Sequence, residues 1–423
     1  MVSTNSTSQA RNRRLRLAAA ALTALALGGT AVGVPGAAAS TPEQAPTAAP
    51  QSPLTGEELR REVERTLAEA GYIGMSVEVR HGPHRIRARA GEAELGTGRP
   101  VPHGGSLRAA SATKAFVATV VLQLVAEGRL SLDDTVEEWL PGVVTGNGND
   151  GSRITIRHLL QHTSGIHNYD ITEDVGDDAA AFEQHRFTRV GPEQLVAGAM
   201  RSEPDFPPAD PDDPTPDWNY SNPGYVLAGL IIEQVTGETW AAQVHDRIIE
   251  PLGLDGTYAP GDDPFLPAPY AHTYQRFPGA TGPDGWTDTT VRNMSWADAA
   301  GALVSTERDL DRFFSALLDG RLLGPRELAE MQRAVPASGD FQVAFPGLHY
   351  GLGLMRQPLT CGGYRWGHGG DIEGVTVRNG VTGDGAHSIV IHATGKISEE
   401  DWLLRAEAAV QELMDTVLCE GAE

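Results

Sequence analysis

Residues 111–127, Ser-Ala-Thr-Lys-Ala-Phe-Val-Ala-Thr-Val-Val-Leu-Gln-Leu-Val-Ala-Glu, read as a helix with no face for water. Phe116, Val117, Val120, Val121, Leu124 and Val125 cover most of its circumference, and Gly128 ends it. A surface helix keeps one polar side, whereas a helix apolar all round is enclosed by protein. The chain must therefore be large enough to surround it. Its 423 residues suffice for one large domain or two interleaved ones.

One residue is out of place in that helix. Lys occurs only at Lys114 and Lys396, and Arg fills every other basic position. Ser111 could be a simple N-cap and Lys114 a solvent-facing charge. An idle ammonium at the head of an enclosed helix would, however, cost on the order of several kcal/mol. Arg cannot lose its proton in a protein, while a buried Lys can have its pKa lowered until it accepts one. Ser111 and Lys114 are three apart, on one face of the first turn. The helix N-terminus also favours negative charge developing on the hydroxyl. A nucleophile and its activator need these features.

The N-terminus does not belong to the fold. Arg11-Asn12-Arg13-Arg14-Leu15-Arg16 precedes an apolar stretch, Leu17 to Leu27, and Ala37-Ala38-Ala39 offers a cleavage site before Ser40. That stretch is shorter than the roughly twenty residues of a membrane span. Residues 1–39 are thus expected to be a signal peptide, with an uncleaved anchor as the alternative and a secreted chain as the consequence. Residues 40–55, rich in Pro, Thr, Ser and Ala, read as a flexible leader. Cleavage would remove four Arg and no acid, taking the formal charge from −23 to about −27. So acidic a surface argues against nucleic acid or an anionic membrane as partner. Two cysteines, Cys361 and Cys419, suggest one disulfide in an exported chain, with two buried thiols as the alternative.

Gly56–Ala70 has helical spacing and stops at Gly71. Met75–Val79 and Ile86–Ala90 read as strands, as do Ala302–Ser305, Tyr350–Met355, Tyr364–Trp366, Val375–Arg378 and Ser388–His392. A final helix is expected over Ser398–Leu418. Between them, Pro223 opens a helix that Gly237 closes, and Arg201–Asp217 is an acidic, Pro-rich loop. Strands at both ends with helices between predict an α/β sheet domain from 56–128 and 290–423. A mostly helical domain, 129–289, is inserted in it.

Two short motifs complete the picture. Tyr220-Ser221-Asn222 precedes the Pro223 helix, and His368-Gly369-Gly370 lies between strand-like segments. Alone, the first is a helix cap and the second a glycine turn. Ser111-Ala112-Thr113-Lys114, Tyr220-Ser221-Asn222 and His368-Gly369-Gly370, in that order, resemble the three motifs of penicillin-recognising serine enzymes. These are the D-alanyl-D-alanine carboxypeptidases, class C β-lactamases and related esterases and D-aminopeptidases. Leu159-Leu160-Gln161-His162-Thr163-Ser164-Gly165, Tyr350-Gly351-Leu352-Gly353-Leu354 and Ser295-Trp296 leading to Ala300-Gly301 extend the likeness over about residues 56–420.

The resemblance implies an α/β fold of the β-lactamase/transpeptidase type, an antiparallel sheet flanked by helices, and a Cys361–Cys419 disulfide. It implies that Ser111 attacks an amide, lactam or ester carbonyl while Lys114 helps remove its proton. Tyr220 would relay that proton, Asn222 would hold Lys114 and the substrate amide, and His368 would complete an electropositive wall. Trp296, Gly369, Gly370 and Asp371 would line the substrate, with the Ser111 and Asp371 N–H groups as oxyanion hole. No cofactor or metal is implied, and His162 and His167, five apart in a loop, lack a zinc spacing.

The sequence departs from the carboxypeptidase pattern at Met355, Gly369 and Asp371, where the relatives carry groups that hold a terminal carboxylate. Arg356 is adjacent, but strand neighbours face opposite sides. The leading expectation is a D-alanyl-D-alanine carboxypeptidase-like enzyme acting on peptidoglycan peptides, with β-lactams as acylating ligands. The alternatives are an esterase or D-aminopeptidase of the same fold, and a β-lactam or muropeptide binding protein that does not turn over.

Overall fold

The computed structural model describes residues 54–169, 177–210, 213–280 and 285–420, which belong to one compact unit. The expected signal peptide and nearly all of the expected leader lie outside the described residues. No described helix is long and apolar enough to cross a membrane.

The chain enters through α1 (Gly56–Ala70). Thr55 caps it reciprocally with Glu58: the Glu58 N–H donates to the Thr55 hydroxyl, and the Thr55 N–H donates to the Glu58 carboxylate. Gly71, at φ 76°, takes the left-handed cap expected of it. Strands β1 (Gly74–His81) and β2 (His84–Gly91) follow as a hairpin.

The rest of the large sheet comes from the C-terminal third. It comprises β3 (Val335–Pro336), β4 (His349–Tyr350), β5 (Met355–Pro358), β6 (Tyr364–Gly367), β7 (Gly370–Ile372), β8 (Val375–Thr382) and β9 (His387–Thr394). The order is β2-β1-β9-β8-β6-β5-β4-β3, with β7 also on β8, and every pairing is antiparallel. The N-terminal strand β1 thus pairs with the last strand of the sheet.

Alternation puts Met75, Val77, Val79, Ile389, Ile391 and Ala393 on one face, in a core shared with α1 and the terminal helix α5 (Glu400–Cys419). On the other face Ser76 donates to Glu307, at the start of α4 (Glu307–Leu318). The larger core lies there too, around α2 (Thr113–Ala126) and α3 (Asn222–Thr236). Pro223 opens α3 and Gly237, at φ 80°, closes it.

Two expected strands come out differently. Val304–Ser305 pairs with Leu107–Arg108, apart from the large sheet. The expected strand Tyr350–Met355 is instead the hairpin β4–β5. Gly353, at φ 75°, turns the chain where a Cβ would lie 2.7 Å from Ala118 Cβ on α2.

Candidate active site

Ser111 sits in a 3₁₀ turn, Ala110–Ala112, that leads into α2. Ala110 before it has φ 48°, a left-handed conformation that costs an L-residue about 1–2 kcal/mol. The turn aims Ser111 at the other motifs. The Lys114 amine lies 3.2 Å from Ser111 Oγ, 2.8 Å from Asn222 Oδ1 and 2.7 Å from the Ala300 carbonyl oxygen. Those oxygens are its partners in an otherwise enclosed position, with no carboxylate among them. Burial holds its pKa well below the usual lysine range.

Tyr220 and Asn222 arrive on the segment that starts α3. The Asn222 N–H donates to Asn168 Oδ1 at 2.9 Å, which orients the helix start. The Tyr220 ring lies under Lys114 Nζ at 4.8 Å, and its hydroxyl is near enough to Ser111 to be influenced by it. Burial raises the Tyr220 pKa, and Ser111 only partly opposes this, so the phenol is a neutral donor at rest. Beneath it His162, at φ 64°, packs against Tyr220, Tyr225, Tyr350 and Trp218, and accepts from the Ser221 N–H. His162 is kept neutral by burial, with Lys114 adding to the effect. His167 lies elsewhere, 2.7 Å from Asp205.

His368-Gly369 falls where the strand beside β8 is interrupted between β6 and β7. The register across the gap is unchanged, because Trp366 faces Val381 and Gly370 faces Val377. The Asn379 side chain bridges the gap: its Oδ1 accepts from the His368 N–H at 3.0 Å, and its Nδ2 donates to the His368 carbonyl at 2.7 Å. The His368 ring is buried, Nδ1–H donating to the Gly369 carbonyl and Nε2 accepting from the Tyr350 hydroxyl, both at 2.7 Å. Burial, then the neighbouring Lys114, pushes its pKa down to about 3. The electropositive wall expected at His368 therefore carries no charge on that ring near neutral pH.

Gly370 touches the nucleophile's backbone, since a Cβ there would lie 2.6 Å from Ser111 N and 2.7 Å from the Ala109 carbonyl oxygen. Asp371 follows, its side chain 41% exposed. Its carboxylate accepts from Lys396 at 2.7 Å and Thr376 at 3.0 Å, and pairs with Arg378 at 2.8 Å. Desolvation opposes its charge, but Arg378 and Lys396 hold it well below the usual carboxylate range. Asp371 raises the Tyr220 pKa and Arg378 lowers it, so both charges act on the reaction centre.

Arg378 looks like a carboxylate clamp, but its donors are taken. Nε and Nη2 reach Glu407, Nη2 also reaches Asp371, and Nη1 donates to the Val377 and Gly370 carbonyls. Arg356 faces away, over the rings of Tyr364 and Trp366 at 4.6 and 5.9 Å. Met355 instead joins the aromatic group around Tyr220.

Trp296 borders a cavity of about 490 Å³, with Tyr169, Phe182, Leu195, Phe277 and Arg292 among its walls. The acidic loop runs beside the Thr163–His167 segment, with the Asp205 N–H donating to the Gly165 carbonyl. Cys361 and Cys419 form a disulfide. Sequence reasoning missed Asn168, Asn379, Arg378 and Glu407, and it gave His162 no part in the site beyond its place in the Leu159–Gly165 stretch and a metal role that it set aside.

The fold and this cluster define a hydrolase class in which a serine is paired with a buried lysine. The Beta-lactamase family model matches residues 59–413, and the chain belongs to that family of penicillin-recognising serine hydrolases. A D-stereospecific amidohydrolase from Streptomyces sp. superposes with TM-score 0.73 at 40% identity, over 84% of this chain and 98% of that one. The D-amino acid amidase of Ochrobactrum anthropi SV3, complexed with D-phenylalanine, gives 0.71 at 26%, over 85% and 97%. Esterase EstB of Burkholderia gladioli is 34% identical over 205 residues, 45% of this chain. Penicillin-binding protein 4 of Amycolatopsis lactamdurans is 34% identical over 167 residues, 39% of this chain. These alignments span 48% and 39% of those two proteins.

Proposed function

We propose that the chain hydrolyses D-amino-acid amides, or short peptides whose D-residue carries a free α-ammonium, through an acyl-enzyme on Ser111. Ser111 Oγ attacks the carbonyl carbon, and its proton passes to the neutral Lys114 amine. The carbonyl oxygen gathers negative charge against the N–H groups of Ser111 and Asp371, donors typically worth about 3 kcal/mol each. Collapse breaks the C–N bond as Tyr220 passes a proton to the leaving amine. Water then attacks the ester carbonyl, and its proton passes by Tyr220 and Lys114 to Ser111 Oγ as the C–Oγ bond breaks and the acid leaves. Asn222 holds Lys114.

The observation that carries the substrate reading is Asp371. An exposed carboxylate stands where a carboxypeptidase needs to hold a terminal carboxylate, Arg378 has no donor left, and Arg356 is turned away. Lys396 and Arg378 already offset part of its charge, and the exposed part of the Asp371 carboxylate is what a substrate ammonium would meet. The two amide-cleaving structural relatives support the same class. The carboxypeptidase reading keeps this chemistry but asks the wall to hold the opposite charge. Cys361–Cys419 supports an exported protein, because such bonds persist in oxidising compartments.

The test compares kcat/KM for a D-amino-acid amide, its N-acetylated form, an N-acyl-D-Ala-D-Ala peptide and a short ester. The free amide should lead, and Asp371→Asn should narrow its advantage over the acetylated form by about tenfold, the equivalent of 1.4 kcal/mol. Faster turnover of the N-acyl-D-Ala-D-Ala peptide would restore the carboxypeptidase reading.

A further inference from the structure

The terminal helix carries a polar stripe that ends at the cleft. Glu407, Gln411, Asp415 and Cys419 recur every four residues on α5 and so share one side. Cys419 is bonded to Cys361, Asp415 accepts from the Thr360 N–H at 2.9 Å, and Gln411 donates to Glu407 while accepting from Arg365. Glu407 takes Arg378 at 3.0 Å from Nε and 2.6 Å from Nη2. Both side chains are less than a tenth exposed.

Arg378 in turn lies against three consecutive residues, Gly369, Gly370 and Asp371, where the chain enters the strand beside Ser111. Its Cδ lies 3.0 Å from where a Gly369 Cβ would be, Nη1 donates to the Gly370 carbonyl at 3.3 Å, and Nη2 pairs with Asp371 at 2.8 Å. That strand, β7, spans only Gly370–Ile372 and, among the described residues, pairs with β8 alone. A short strand held on one edge, just past an interruption, needs a further support to fix the direction of an N–H group. The size of Gly369 gives Arg378 the room to supply it.

We propose that Glu407 is a positioning residue for the oxyanion hole: by fixing Arg378 it fixes the Gly370–Asp371 peptide against Ser111. The inference rests on the acyl-enzyme reading above but not on its choice of substrate. With the carboxylate gone, Arg378 loses its anchor on α5 and the Gly370–Asp371 peptide loses its support. A misplacement of about 1 Å in such a site can cost about 10²-fold in rate. Arg378 keeps its pair with Asp371, so ground-state binding, which does not depend on the oxyanion, should change much less than the rate.

The experiment compares wild type with Glu407→Gln, which keeps size and loses charge, and Glu407→Asp, which keeps charge and shortens reach. Readouts are kcat, KM, melting temperature and inhibition by a boronic acid, whose tetrahedral adduct on serine mimics the oxyanion. Glu407→Gln should lower kcat about 10–100-fold and weaken the boronate at least about tenfold, with KM within about twofold. Glu407→Asp should recover part of both losses. Unchanged boronate affinity with a kcat loss that only tracks the folded fraction overturns the proposal, as does a parallel rise in KM and boronate inhibition constant. If Glu407→Gln does not fold, Gln411→Ala, which removes the side chain that donates to Glu407 and accepts from Arg365, is judged by the same criteria. Absence of any wild-type adduct on Ser111 would instead refute the acyl-enzyme reading.

Discussion

The Lys114 amine lies 3.2 Å from the Ser111 hydroxyl and 2.8 Å from the Asn222 side-chain oxygen, enclosed at the head of an apolar helix. The three oxygens around it can hold an ammonium or accept a hydrogen bond to a neutral amine, but they cannot compensate a full charge as a carboxylate would. Desolvation therefore favours the neutral form. Lys114→Arg restores a permanent charge and a bulkier, planar head. Acylation should slow by about 10²–10⁴-fold, the usual worth of a general base, and stability should fall as well. Stopped-flow acylation rates beside a melting curve measure both.

Gly370 is the second point of sensitivity. A methyl group there would meet Ser111 N at 2.6 Å and the Ala109 carbonyl oxygen at 2.7 Å, and both are backbone atoms that cannot swing aside. Gly370→Ala should destabilise the protein by about 1–3 kcal/mol through overpacking. It should reduce kcat by more than the unfolded fraction explains. Gly383→Ala, whose nearest contact would be at 3.8 Å, is the matched control.

Stability should vary with pH in a way that buried groups dictate. His368 and His392 are pushed by burial down to about 3 and about 4, from an ordinary 6.5. The unfolded chain binds those protons first, so their contribution is complete above pH 6.5 and is lost as pH falls toward 4 and then 3. Glu307 behaves oppositely. Burial pushes it up to about 7, so its contribution is complete below its ordinary 4.5 and is lost as pH rises through 7. Two imidazoles outweigh one carboxyl between those limits, so denaturant midpoints should climb toward pH 6.5; above it Lys114, neutral when folded and charged when unfolded, offsets the Glu307 loss and the curve should level. Glu307→Gln should steepen the climb between about pH 4.5 and 7 and leave the acid limb below it.

The disulfide closes a separation of 58 residues between the β5–β6 turn and the end of α5. By the loop-entropy argument its loss in Cys361→Ser with Cys419→Ser costs about 4 kcal/mol. Equilibrium unfolding of the double variant measures it.

Much of this was legible locally. The Gly71 and Gly237 caps, the enclosure of α2 and the strands of the hairpin β1–β2 follow from spacing and turn residues a few positions apart. The strand interruption at His368 was not legible, because it depends on the Asn379 side chain eleven residues further on. The Arg378–Glu407 pair joins residues twenty-nine apart, and no local pattern announces it. His162 stands out in the sequence only as part of the Leu159–Gly165 stretch and as a neighbour of His167. Its role depends on Trp218, Tyr220, Tyr225 and Tyr350, which surround it only after folding. Asp371 was legible as a charge at the cleft, but its pairing with Lys396 and Arg378 was not.

The central claim is that Ser111 becomes acylated. Intact-mass spectrometry with peptide mapping, on protein exposed to a penicillin or quenched during turnover of a D-amino-acid ester, tests it directly. A mass increase equal to the acyl group, mapped to the peptide holding Ser111 and absent from Ser111→Ala, is the expected result. An adduct on another residue, or full turnover by the alanine variant, would contradict the account.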